Sequence, residues 1–290
     1  MRLGRIGPRD QERPVVSPGG EAWYDARPVA ADFDPIFFAG DGLRRLRSAL
    51  ESGSLPRASI DGQRFGPPLV RPPSILCIGM NYAAHAAESG ALPPDELVVF
   101  YKKSNTLAGP RDPIQRIDAR STLDWEVELG IVIRARLHGE VTDDAAQAAI
   151  AGYVLADDLS DRWLQLERSG GQWSKGKSFP GSCALGPWVR TADEIPDPQD
   201  LRLRSWVNGE ARQSSSTADM VFSVTRILRE LALVMELEPG DLILTGTPEG
   251  VALSGRFPYL ASGDVVRMTI DGLGEIEQSV APFELEENER

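Results

Sequence analysis

Glu126 and Glu128 stand two residues apart in the stretch LDWEVELGIVI, residues 123–133. Apolar and polar residues alternate from 123 to 129 and a β-branched run follows, which predicts a strand. Side chains two apart on a strand share a face, about 7 Å apart along the chain. Two carboxylates so placed repel unless something positive lies between them. A divalent cation meets that need, and hard oxygen ligands suit Mg²⁺ or Mn²⁺ better than Zn²⁺. By itself Glu-x-Glu also describes an ordinary solvated strand face, so its meaning depends on the rest of the chain.

Other residues point to the same chemistry. His85 and Glu88 are three apart in an alanine-rich stretch that stops at Gly90, so a helix there puts both on one face. A carboxylate beside an imidazole orients it and raises its basicity, as deprotonating water requires. Of 31 basic residues only four are lysine, the pairs Lys102/Lys103 and Lys175/Lys177, and 27 are arginine. Such sparing, clustered use of lysine marks places where a compact ammonium is needed, because arginine cannot replace it there. A third carboxylate is expected from Asp157 or Asp158 at the end of a strand over 152–160. The two alternate in direction, so at most one joins Glu126 and Glu128. His138, in a hairpin-like turn, receives no role.

The elements that must position these groups are legible in outline. Residues 2–6 and 14–16 read as strands, 42–50 as a short amphipathic helix, and the proline-rich 66–73 as a boundary. This gives a small N-terminal module over 1–70 and a catalytic domain over 71–290. Residues 75–79 and 98–101 read as strands, and Thr142 caps a helix through Ile150. Residues 163–168 form a helical turn. Residues 170–179 read as a glycine-hinged loop without P-loop spacing. An Asn208-Gly209 hairpin turn follows a strand, 221–237 is the clearest helix, and 242–245 is a strand. The turn after it, 246–251, can present a hydroxyl and backbone N–H groups to an anion. Residues 265–270 are expected to be the closing strand, and the acidic tail after Pro282 to be disordered.

At 290 residues the chain can bury a full core. A net charge of −12 argues against nucleic acid and anionic membrane as partners. No apolar run approaches the roughly 20 residues of a membrane span, and no signal peptide opens the sequence. Two cysteines, Cys77 and Cys183, make no disulfide framework and read as reduced, hence a cytoplasmic expectation.

Taken in order, the segments resemble the fumarylacetoacetate hydrolase family. The matching motifs are Gly79-Met80-Asn81-Tyr82 with His85 and Glu88, then Trp125-Glu126-Val127-Glu128-Leu129-Gly130, then Gly152-Tyr153 through Asp158 to Arg162. Lys175-Gly176-Lys177-Ser178-Phe179 and Gly240-Asp241 through Gly246-Thr247-Pro248-Glu249-Gly250-Val251 complete the set. The resemblance implies an α+β, predominantly β fold, with a catalytic domain of layered, rolled sheets and a small N-terminal domain, assembled as a homodimer. It implies Glu126, Glu128 and Asp158 as metal ligands, with Mg²⁺ or Mn²⁺ as cofactor. It makes His85 and Glu88 the water-activating pair and Lys177 the stabiliser of negative charge. Lys102, Arg162 and Thr247 then hold a small keto-acid substrate.

Residues 170–177, 185–188 and 257–259 look most like the family's sugar-acid branch, which includes 2,4-diketo-3-deoxy-fuconate hydrolases and members labelled ureidoglycolate lyases. Asp157, Trp163 and Lys103 depart from the usual pattern. The expected reaction is metal-dependent hydrolysis of a C–C bond in a 2,4-diketo acid to pyruvate and a carboxylic acid. Oxaloacetate decarboxylation, isomerisation of an unsaturated diacid, and non-catalytic keto-acid binding are the rivals. The intact His85–Glu88 pair favours hydrolysis, because decarboxylation needs no activated water.

Overall fold

The structure, a computed structural model, describes residues 1–283. The acidic tail lies outside the described residues from position 284 onward. The fold is α+β and predominantly β, built on a mixed 13-stranded sheet and an antiparallel four-stranded sheet. The middle of the large sheet carries the chemistry. Val127–Ile133 pairs antiparallel with Ile150–Asp158 on one side and with Leu242–Leu244 on the other. Ile75–Gly79 then runs parallel to Leu242–Leu244, and Val98–Lys102 pairs antiparallel with it. Each residue of Val127–Ile133 and of Ile150–Asp158 is buried, as expected for central strands covered on both faces.

The N-terminal strands join this same sheet. Arg2 and Leu3 pair with Arg190 and Val189, so hydrogen bonds cross the boundary expected near residue 70. The four-stranded sheet runs Glu210–Ser216, Arg202–Val207, Val265–Ile270 and Gly274–Ser279. Val265–Ile270 is therefore not the closing strand; the chain turns at Gly272 and Gly274 and adds one more. Leu203, Val266, Met268 and Ile276 of this sheet share a core with Leu129, Ile131, Tyr153 and Leu155 of the large one. Helix Val224–Val234 buries Ile227, Leu228 and Leu231 in that core. It is shorter than the periodicity of 221–237 suggests, because Ser223 caps its start and Met235 is already extended.

Three further elements depart from the sequence reading. The stretch 123–133 is two strands, Leu123–Asp124 and Val127–Ile133, separated at Trp125 and Glu126. The partner strand breaks alongside it, and Asp124↔Ser160 resumes the register of Val127↔Asp157. Trp125 accounts for the interruption: its indole is wholly buried and donates to the Gly250 carbonyl (3.2 Å). The glycine-hinged loop contains a helical turn, Trp173–Lys177. The helix after Ile75–Gly79 is Ala83–Glu88, preceded by Met80 at φ +59°, a left-handed conformation rare outside glycine.

Asn81 ties these pieces together. Its amide donates to the carbonyls of Thr245 (2.8 Å) and Phe222 (3.1 Å) and accepts the Phe222 N–H (2.7 Å), all buried. Asn81→Ala strands three buried backbone groups, and each unsatisfied group costs roughly 1–3 kcal/mol. The expected loss is about 3 kcal/mol or more, read as a lowered urea midpoint at unchanged slope.

Candidate active site

The broken strand brings the carboxylates together. Glu126 lies at the break, where the Asp157 side chain accepts its backbone N–H (3.0 Å) and its carbonyl accepts the Asp158 N–H (3.0 Å). Glu128 follows on the intact ladder. Oxygens of Glu126, Glu128 and Asp158 all lie within 4.8 Å of one another, and all three residues are buried. The three carboxylates expected as ligands therefore come together at the break and the adjoining strands, with Asp158 the aspartate beside Glu126 and Glu128. Burial also removes the alternative of a solvated strand face.

Cations surround this cluster. Lys177 donates to Glu126 and to Asp158 Oδ2 (2.7 Å). Lys102 donates to Asp158 Oδ1 (2.6 Å) and to the Leu159 carbonyl (3.3 Å). Arg162 donates to Asp124 Oδ2 (2.8 Å), the Gln165 side-chain oxygen Oε1 (2.8 Å) and Glu126. One lysine of each sequence pair enters the site, while Lys103 and Lys175 are exposed. Thr247 lines the same cavity, but its hydroxyl donates to the Val127 carbonyl (3.0 Å) and accepts from Gln213 Nε2 (2.7 Å).

The electrostatics divide the glutamates. Burial pushes the Glu126 carboxyl up, but Lys177, Arg162 and His85 pull it down to about 2. Glu128 has no cationic partner among the described residues and accepts one hydrogen bond, from the Gly246 N–H (2.8 Å). Burial, reinforced by the charges of Asp158 and Glu126, pushes its carboxyl well above the ordinary range. Burial opposes the charged form of Lys177, yet Asp158 and Glu126 drive its pKa upward. A buried carboxylate left without a cation, facing two others, is a donor set suited to a hard dication.

The second constellation is His85 with Glu88. The His85 Nδ1 is 3.0 Å from Glu88 Oε1. The Glu88 carboxylate also accepts the Gly250 N–H (3.1 and 3.0 Å), which fixes it from a different loop. A neutral imidazole donating from Nδ1 keeps its Nε2 lone pair for a proton. His85, Glu88, Glu126, Glu128, Arg162 and Lys177 all line one cavity of about 380 Å³. Lys102 is not among its lining residues and braces Asp158 from behind.

Asp124, Gln213 and Asn81 also build the site; Asn81 belongs to the Gly79-Met80-Asn81-Tyr82 motif, while Asp124 and Gln213 receive no role from the sequence. Asp124 accepts from Arg162 and from the N–H groups of Ala252 (2.8 Å) and Leu253 (3.0 Å). Gln213 spans Thr247, the Val127 N–H (3.2 Å) and the Pro248 carbonyl (2.8 Å). For Asp124 the signal is a carboxylate between Leu123 and Trp125; Gln213, in the polar run 210–216, offers none.

With fold and site defined, the family follows. Residues 74–281 match the Fumarylacetoacetate (FAA) hydrolase C-terminal family, and the chain belongs to it. It is 42% identical over 278 residues to a Burkholderia multivorans protein described as "Putative hydrolase", covering 95% of this chain and 97% of that one. Among solved structures it resembles fumarylacetoacetate hydrolase from Exiguobacterium antarcticum, with TM-score 0.84, 34% identity and coverage of 97% and 99%. It also resembles maleylpyruvate hydrolase from Sphingobium sp. SYK-6 in complex with manganese(II) and pyruvate, with TM-score 0.79, 28% identity and coverage of 98% and 100%. A third similar structure is 2-hydroxyhepta-2,4-diene-1,7-dioate isomerase from Mycobacterium marinum, with TM-score 0.73, 31% identity and coverage of 97% and 98%. No helix among the described residues is long and apolar enough to cross a membrane.

Asp157 makes the site's pH dependence testable. Burial pushes its carboxyl up to about 8, and its second oxygen has no hydrogen-bond partner. An acid whose folded pKa exceeds its unfolded value binds an extra proton when folded, so its contribution to stability is complete below the unfolded pKa. That contribution is lost as pH rises through the folded value. For Asp157 the window runs from about 4 to about 8. Asp157→Asn keeps an acceptor for the Glu126 N–H and removes this loss. Metal-free Asp157→Asn should therefore gain stability over the parent at pH 8 and little at pH 4, as read by urea denaturation at both.

Proposed function

We propose that the protein hydrolyses the C–C bond of a 2,4-dioxo acid of the acylpyruvate type, releasing pyruvate and a carboxylic acid. One observation carries this reading: Glu126 and Glu128 of a buried three-carboxylate cluster line the same cavity as a braced His85–Glu88 pair. Glu126, Glu128 and Asp158 would hold Mg²⁺ or Mn²⁺, the neighbour crystallised with manganese and pyruvate supporting both the ion class and the pyruvoyl end. When bound, the ion supplies Lewis-acid polarisation of the substrate's carboxylate and keto oxygens.

The chain's own residues do the rest. His85, with Glu88 orienting its Nδ1, takes a proton from water at Nε2 as the water oxygen bonds to the distal carbonyl carbon. The bond between that carbon and the methylene then breaks, and its electron pair passes into the pyruvate enolate. The Lys177 ammonium, fully charged and fixed, lies where that negative charge develops. The enolate carbon regains a proton, and the acyl fragment leaves as its acid. Lys102 and Arg162 act by holding Asp158, Glu126 and Asp124 in place. Thr247 anchors its turn to Val127 and Gln213 at the cavity wall.

The test is incubation with Mn²⁺ or Mg²⁺ and a panel of acylpyruvates and oxaloacetate, assaying pyruvate and the released acid. General-base catalysis contributes roughly 10²–10⁴ in rate. His85→Ala should lose turnover on that scale while Mn²⁺ binding by calorimetry is unchanged, and Glu126→Ala should lose both. Oxaloacetate turnover that survives His85→Ala would identify a decarboxylase. A shifted double bond with no released acid would identify an isomerase.

A further inference from the structure

The metal-binding carboxylates and the His85–Glu88 pair occupy only part of the cavity. Much of the remaining lining is Ile78, Met80, Phe100, Leu166, Trp173 and Leu253. Phe100 and Trp173 pack edge to face, with centroids 5.7 Å apart at 68°. Gly79 is what lets the indole lie there: a Cβ at that position would come within 2.6 Å of the Trp173 ring. The Lys177 ammonium sits 5.1 Å over the Phe100 ring, pinning the other aromatic from the charged side. This wall is rigid and apolar.

Charge in the cavity is fully committed. Among the described residues lining it, the fixed cations are Lys177 and Arg162. Lys177 bridges Glu126 and Asp158, and Arg162 bridges Asp124, Glu126 and Gln165. A substrate with a second carboxylate at its acyl end would bury it on the apolar wall, with both fixed cations of the described lining already paired. A polyhydroxy end would lie along the apolar wall, where Thr247 and Gln165 Oε1 are already engaged and Ser89 and the Gln165 amide nitrogen are the polar lining groups left to meet it.

Building on the acylpyruvate reading, we infer that the group cleaved from pyruvate is uncharged and apolar, an aliphatic or aryl acyl chain packed on Phe100, Trp173, Met80 and Leu166. That moves the expected substrate away from the sugar acids suggested by the sequence motifs. Leu166 remains 43% exposed, so the wall reaches solvent there and tolerates substitution.

The full chain loaded with Mn²⁺ should be assayed on 2,4-dioxopentanoate, 2,4-dioxohexanoate, 2,4-dioxoheptanoate and 2,4-dioxo-4-phenylbutanoate. An acylpyruvate with a distal carboxylate and a 2,4-dioxo-3-deoxy sugar acid complete the series. Each added methylene should raise kcat/KM by up to about fourfold, the equivalent of about 0.8 kcal/mol per buried CH₂. The carboxylate-ended substrate should fall on the order of a hundredfold below its apolar counterpart. Leu166→Ala should flatten the methylene dependence, and Leu166→Arg should raise the charged substrate relative to the apolar ones. Preference for the charged or polyhydroxy substrate in the parent would overturn the inference. If nothing in the series is hydrolysed, the acylpyruvate reading fails separately, and calorimetric binding of 2-oxohexanoate against 2-oxoglutarate tests the wall. Tighter 2-oxohexanoate supports it; tighter 2-oxoglutarate, or no binding of either, overturns it.

Discussion

Five carboxylates, Asp124, Glu126, Glu128, Asp157 and Asp158, are buried around one short break in a central sheet. Burying an ion without a partner costs several kcal/mol, so such a cluster persists only if nearly every charge is answered. Three cations answer most of it. Lys102, Lys177 and Arg162 are all buried, and together they contact Asp124, Glu126 and Asp158. Glu128 and Asp157 remain, and burial raises both of their pKa values. The fold leaves these two acids different fates. Asp157 accepts the Glu126 N–H with one oxygen, its other oxygen has no hydrogen-bond partner, and burial favours its protonated form. Glu128 opens onto the cavity, where a dication can reach it.

That arrangement requires backbone that ordinary pairing does not provide. The break at Trp125 and Glu126 frees the Glu126 N–H for the Asp157 side chain, and loops from distant sequence close around it. Gly250 is the clearest junction. Its carbonyl accepts from Trp125, its N–H donates to Glu88, and its φ is +103°. A Cβ there would meet the Arg212 carbonyl at 2.2 Å, so glycine is required both for conformation and for space. One residue thus couples the core side of the broken strand to Glu88, the carboxylate that holds His85. Preorganisation of this kind is what makes charged groups effective in a dry site, because they need not move as the reaction proceeds.

The sequence announced the parts that obey local rules. The Glu-x-Glu spacing, the His85–Glu88 spacing and the scarcity of lysine each pointed into the site, and motif order identified the family. Local rules failed where tertiary contacts decided. Alternation through residues 123–133 carried no sign of the break, because Trp125 fits a strand pattern and its hydrogen bond to Gly250 is 125 residues away. The Trp173–Lys177 turn was hidden by flanking glycines and is held by packing of Trp173 on Phe100. Gln213 and Asp124 are invisible to spacing arguments, since each acts through backbone groups of remote loops. The apolar wall of the cavity was also hidden: Ile78, Phe100, Leu166 and Leu253 come from four separate elements.

The division between lysine and arginine gives the site its logic. Arg162 satisfies three acceptors at once, on the strand Leu123–Asp124, at the break and on the following helical turn, which a planar fork can do and a point charge cannot. It therefore serves as a brace, joining Asp124, which fixes Ala252 and Leu253, to Glu126. Lys177 contacts Glu126, which lines the cavity, and Asp158, with its ammonium over the Phe100 ring. A compact ammonium there can balance the carboxylates and still present charge to a substrate oxygen, because its donors are not fixed in a plane. An arginine in its place would fill the space between Glu126 and Asp158 and the substrate's approach. A chain with arginine at 27 of its 31 basic positions has lysine at this buried junction of Glu126 and Asp158.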